Sequence, residues 1–263
     1  MSYGPQPWLQ QHWDLRAAAN FALGGTGAGL VLASALAMPA PRYALALGLT
    51  LIACGLGAVW LEIGRKLRVL HVFLNPKTSW MARESLAALV LFALGVAALV
   101  RSEPWLLGAT ALAALAFVYC QARILRASKG IPAWRAPEAV PLLVTSALAE
   151  GAAAALLFET VPLALPLLGA AVIARAIAEY RYWSAVKRLR CASALERPRQ
   201  ALLMLGTLAP LVLILGIEVI PFAALLAAAT VIGTGWWFKF VLVTRAAFNQ
   251  GFALPHLPVR GAR

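Results

Sequence analysis

His71 and Glu84 bracket the densest group of chemically able side chains in the chain, with Ser79, Trp80 and Arg83 between them. An imidazole accepts or donates a proton near neutral pH, and a carboxyl beside it can pass that proton on. Both stand where an apolar run meets a polar connection: His71 follows one run and Glu84 opens the next. A shared hairpin mouth would bring them together, and such a pair at a membrane–water boundary suits proton exchange with a lipid-dissolved carrier. The competing reading is a plain interfacial hydrogen bond. Arg65, Lys66, Arg68 and Lys77 in the same stretch read as topology signals and headgroup anchors.

Four more charged residues fall within apolar runs, where charge is costly and function is the default hypothesis. Glu150 lies near the middle of one run and is expected to be protonated or hydrogen-bonded to a neighbouring helix, with a proton relay as the alternative. Arg175 and Glu179 are four apart, which predicts an ion pair on one helix face or a share in a proton path. Lys239, near the end of the last run, is expected to snorkel to the surface.

The elements that must position these residues are apolar helices. Hydrophobic residues form 62% of the 263 and charged residues only 13%, about half the charged share of a soluble domain. A bilayer core requires about 20 apolar residues per helix. That measure predicts spans at 18–38, 43–63, 84–100, 104–125, 138–158, 161–182, 200–220 and 222–244, with Pro39, Pro41, Pro104, Pro162 and Pro221 as punctuation. The expected fold is an all-α integral membrane protein of eight transmembrane helices in four hairpins. It is one membrane domain, 1–263, with an interfacial lead-in at 1–17, the bundle at 18–244 and a tail at 245–263. The lead-in, with Trp8, Trp13, Asp14 and Arg16, predicts an uncleaved first span.

Threaded this way, all 23 Lys and Arg except Arg42 and Arg101 fall on the face that carries both ends of the chain. The excess of Lys and Arg marks the cytoplasmic side, so both termini are expected inside a bacterial inner membrane. The net charge of +13 sits in short loops. Anionic lipid and an acidic partner protein fit that distribution better than nucleic acid. The long connections 64–83, 126–137 and 183–199 would form the docking face.

Cofactor chemistry within the chain is restricted. Cys54, Cys120 and Cys191 are far apart, which argues against an iron–sulfur cluster or a metal site, and the two within spans read as small buried hydrophobes. The histidines are His12, His71 and His256, none inside a predicted span, so no pair is available for a bis-histidine haem. Gly24-Gly25-Thr26-Gly27-Ala28-Gly29 lacks dinucleotide spacing, and Gly25 with Gly29 predicts close helix packing.

The stretch His71-Val-Phe-Leu-Asn-Pro-Lys-Thr-Ser-Trp-Met-Ala-Arg-Glu84 resembles a segment of the membrane-anchor subunits of dimethyl sulfoxide reductase, a group that includes the polysulfide- and nitrite-reductase membrane subunits. Arg123-Ile-Leu-Arg-Ala-Ser-Lys-Gly-Ile-Pro-Ala-Trp134 and Ser146-Ala-Leu-Ala-Glu-Gly151 resemble later segments in the same order. The opening residues 1–8 and the closing residues 248–255 look most like a branch associated with phenylacetyl-CoA:acceptor oxidoreductase. The resemblance implies a non-catalytic anchor that exchanges electrons with menaquinone or ubiquinone. Its partners would be a four-cluster iron–sulfur subunit and a molybdopterin catalytic subunit. His71, Ser79, Trp80, Arg83 and Glu84 would form the quinone site, without haem or a cluster in this chain. A CoA thioester is a cytoplasmic substrate, so the charge pattern favours that branch. Two other readings stand beside it: a small transporter or channel with a polar path at Glu150, Arg175 and Glu179, and a membrane enzyme acting alone.

Overall fold

The computed structural model describes residues 8–36, 42–62, 71–101, 103–158, 163–217, 219–220 and 222–254. The chain is all-helical, and no strand forms among these residues beyond one isolated bridge between Leu9 and Phe248. The long helices are α1 (Leu15–Leu36), α2 (Arg42–Glu62), α3 (Trp80–Arg101) and α4 (Pro104–Ala127). They continue as α5 (Ala139–Ala155), α6 (Ala164–Val186), α7 (Cys191–Leu215) and α8 (Ala223–Thr244).

Six of these, α1 to α4 with α7 and α8, are long and apolar enough to cross a membrane. α5 is apolar but has 17 residues, a length of about 25 Å. α6 has 23 residues and carries Arg175, Glu179 and Arg181. Leu89, Val100, Leu112, Ile177, Val212 and Leu215 are exposed on the outer faces, a pattern that suits lipid rather than water.

α1 is the central post. It packs against α2, α4 and α5, while α5 also touches α6 and α8. Small residues allow this: a Cβ on Gly29 would strike the Ala147 carbonyl of α5, and one on Gly151 would strike the Gly29 backbone. Gly27 meets Gly48 of α2 in the same manner. Gly25 has another use, since the Lys239 Nζ lies where its Cβ would point.

Helix boundaries lie within about four residues of the apolar runs except in the seventh; α3 starts at Trp80, one turn before Glu84. The sequence predicts a connection at 183–199 and a span from 200. Instead α6 runs to Val186 and α7 starts at Cys191. Cys191, Leu195, Pro198 and Leu202 are buried on one face of α7 while Glu196 and Arg197 are exposed. This amphipathic turn was concealed by its charges, because mean hydropathy averages over both faces of a helix.

Two helices contain a π turn, Asn20–Gly24 in α1 and Met204–Leu208 in α7. Such turns widen the helix and release carbonyls from the usual ladder, and they occur often at functional positions.

One end of the bundle is knitted together. Gln10 donates its backbone N–H to the Ala247 carbonyl at 3.0 Å, and Asn249 donates to that of Trp8 at 2.8 Å. Trp13 stacks on Trp134 with centroids 4.9 Å apart, and Trp134 Nε1 donates to the Leu242 carbonyl at 2.8 Å. The segments preceding α1 and following α8 therefore meet at the same end. Pro39, Pro41, Arg65, Lys66, Arg68, Glu159, Thr160, Pro162, Pro221 and the residues from 255 onward lie outside the described residues, as do residues 1–7.

Candidate functional site: a buried carboxyl beneath an apolar cleft

α3 begins at Trp80, and Ser79 caps it: the Ser79 Oγ accepts from the Ala82 backbone N–H at 3.3 Å. One turn later Glu84 points inward and is 5% exposed. Its Oε1 accepts from Asn20 Nδ2 at 3.3 Å, and Asn20 occupies the first position of the π turn in α1. The Asn20 carbonyl accepts from Gln121 Nε2 of α4 at 2.9 Å. Three helices thus place a carboxyl and two amides in an interior otherwise made of Ala, Leu and Phe.

Two adjoining lobes open onto Glu84. One, of about 280 Å³, is lined by His12, Trp13, Asn20, Glu62, Met81 and Glu84. The other, of about 400 Å³, is lined by Leu56, Trp60, Val72, Phe73, Glu84 and Phe92. Asn20, Val59, Met81 and Glu84 belong to both lobes. Mostly apolar walls with a few convergent polar groups are what a small organic ligand requires.

The predicted set divides. Glu84 forms the floor of the cleft. His71 is exposed, and no hydrogen bond joins it to Glu84; the two residues after it, Val72 and Phe73, line the larger lobe. Trp80 and Arg83 belong to a rim cluster. The guanidiniums of Arg83 and Arg123 each lie 4.2 Å from the Trp80 ring centroid, and Arg123 Nη1 donates to the Tyr119 hydroxyl at 2.7 Å. Arg83 also donates to the carbonyls of Pro76 at 2.8 Å and Lys77 at 2.7 Å, which closes the turn before α3. Arg83 therefore pins the loop. Asn20, Gln121, His12 and Glu62 were missed by sequence reading. A polar residue at Asn20 or Gln121 within an apolar run was the available signal.

The interior charges are paired differently from expectation. Lys239 does not snorkel; it is 1% exposed, and its Nζ donates to Glu150 Oε2 at 2.8 Å. The same oxygen accepts from Thr26 Oγ1 at 2.6 Å, and Trp236 Nε1 donates to that hydroxyl at 2.8 Å. A lysine stem about four carbons long reaches the surface only if no closer acceptor is available, and Glu150 is closer.

No ion pair joins Arg175 to Glu179. Glu179 accepts from Arg199 Nε of α7 at 2.5 Å, with the Arg199 guanidinium 4.6 Å from the Trp183 ring. Arg175, fully buried, donates to the carbonyl of Gly206, within the π turn of α7, and to that of Val231 at 3.5 Å. The helix extension that brings Arg199 into α7 is the reason the partner changed. Cys54 is exposed on α2, Cys120 is half-buried and only Cys191 is buried. Among the described residues no group of His, Cys, Asp and Glu could hold a metal ion.

No known protein family matches this chain, and no curated protein is significantly similar to it.

Proposed function

We propose that this chain is the membrane anchor and quinone-reactive subunit of a molybdopterin and iron–sulfur oxidoreductase complex. The observation that carries the reading is Glu84: a buried carboxyl beneath an apolar cleft at the rim of the bundle. A quinone head group needs a flat apolar slot and a group that takes or gives a proton as electrons arrive or leave. The cleft supplies the walls in Trp60, Phe73 and Phe92. Glu84 supplies the proton, Asn20 orients it, and exposed His12 lines the mouth of the smaller lobe. Menaquinone and ubiquinone share this chemistry.

The chain sits in the bacterial inner membrane with eight spans and both ends in the cytoplasm. Arg126, Lys129, Arg135, Lys187, Arg188 and Arg190 are exposed at the end of the bundle that holds the cleft, a cationic platform for an acidic iron–sulfur subunit. Phenylacetyl-CoA oxidation fits a cytoplasmic catalytic partner. The transporter reading is weaker. Glu150, Arg175 and Glu179 each engage a different protein partner and do not line one shared path.

The test is quinol turnover by the complex purified from its native membrane, which should bring iron–sulfur and molybdenum with it. Glu84→Gln preserves shape and removes the exchangeable proton. Turnover should fall about 10²-fold or more, the usual contribution of a positioned acid–base group, with assembly unchanged. A chain that purifies alone, without redox metals, overturns the reading.

A further inference from the structure

The polar groups beneath the cleft do not end at Gln121. Gly24 and Gly25 follow Asn20 on α1, and without Cβ atoms they leave space on the face turned toward α4 and α8. A Cβ on Gly24 would lie 2.7 Å from Gln121 Nε2. One on Gly25 would lie 2.9 Å from Lys239 Nζ and 3.7 Å from Gln121 Oε1. The amide of Gln121 and the ammonium of Lys239 therefore converge on the same spot above α1. Lys239 continues to Glu150 at 2.8 Å, and Thr26 closes the row on the same carboxyl at 2.6 Å. Two buried acceptors along the row, Asn20 Oδ1 and Glu150 Oε1, lack a hydrogen-bond donor.

We propose that this row, Glu84–Asn20–Gln121–Lys239–Glu150, is a one-ended proton well that carries protons from the cleft to mid-depth in the bundle. Glu150 is the twelfth residue of α5, which puts it about 17 Å from that helix's start. Beyond it the way is closed. α1 and α5 touch backbone to backbone at Gly29 and Gly151, and Leu30, Ala33, Ala154 and Ala155 fill the space that follows.

In one transfer the O–H bond of protonated Glu84 breaks and an O–H bond forms on Glu150. Glu84 is left as the carboxylate and Glu150 as the neutral acid. Lys239 stays an ammonium, and with its counter-ion neutralised it turns toward Gln121 Oε1, which faces the same Gly25 position. Amides do not carry the proton themselves, so water beside the unpartnered Asn20 Oδ1 and Glu150 Oε1 would relay it. The groups facing Glu150 are Thr26 of α1, with Lys239 and Trp236 of α8, and Arg175 of α6 is the further charge that acts on it. The inference rests on the Glu84 cleft as the entrance, but not on which molecule occupies it.

The test uses the purified full chain in lipid nanodiscs with no quinone present. A rapid pH drop is followed by infrared absorption of the newly protonated carboxyl, assigned to Glu150 by its loss in Glu150→Gln. Gln121→Leu should slow the appearance of that band about tenfold or more, the effect of adding about 1.4 kcal/mol to a barrier. Gly25→Ala places a methyl between Gln121 and Lys239, which must push the Lys239 ammonium aside, and should slow it similarly. A Glu150 band that never appears, or one that rises at the wild-type rate in the folded variants, overturns the proposal. Because quinone is absent, failure here is separable from failure of the turnover test.

Discussion

Lys239→Met replaces a buried ammonium with an apolar side chain of nearly the same length and leaves the Glu150 carboxylate without its cation. At 2.8 Å the attraction between unit charges is about 6 kcal/mol for an effective dielectric of about 20. Desolvation of the two ions offsets much of that, so the pair adds little over an apolar substitute, whereas breaking it costs about 3–5 kcal/mol. Thr26 Oγ1 still donates to Glu150 in the variant, which favours the lower part of that range. The assay is unfolding of the full chain in mixed micelles, for Lys239→Met, Glu150→Gln and the double variant. Each single variant should lose about 3 kcal/mol, and the double should lose far less than their sum, with a coupling of about 2 kcal/mol or more. Additive losses, within about 0.5 kcal/mol, would refute the reasoning, because they would mean that the two residues do not feel each other.

Other outcomes follow from the packing and the rim. Gly151→Val drives a side chain into the Gly29 backbone, so the yield of monodisperse protein by size-exclusion should collapse, with a cost of about 3 kcal/mol. Trp80→Leu removes the ring held between Arg83 and Arg123 and should cost about 1–2 kcal/mol in the micelle assay. Asp14 caps α1 and pairs with Arg16 at 2.8 Å; hydrogen bonds from Arg16 hold its carboxyl below the usual 3.8. A lowered folded value stabilises above the ordinary carboxylate range and is lost as pH falls below it. Fluorescence from the Trp13 region should therefore stay constant down to about pH 4 and change only in stronger acid, and Asp14→Ala should remove that step.

Much of the scaffold was readable, because helix length in a bilayer is set by apolar runs and α1 to α5 follow them closely. Glu84 was readable as well, being a carboxyl at the edge of a run. Its neighbours were not. Asn20 and Gln121 are 101 positions apart, and only the crossing of α1 with α4 places them together. The side chains of Lys239 and Arg199 were assigned to a surface by charge alone. In fact each finds an acid on another helix, Glu150 for one and Glu179 for the other. Single-helix periodicity cannot foresee such exchanges, since the i,i+4 partner competes with every residue that tertiary packing brings closer. The π turns were equally hidden: the Asn and Gly of Asn20–Gly24 and the Gly and Thr of Met204–Leu208 are weak helix formers, but they do not specify a π turn.

The clasp between Leu9 and Phe248, with Gln10 and Asn249 on either side, bears on how the cleft keeps its shape. The segment that carries His12 and Trp13 is fastened at Leu9 and Gln10 by residues just beyond α8, and it supplies a wall of the smaller lobe. Loosening the clasp would therefore move one wall of the space beside Glu84 without changing any residue that lines it.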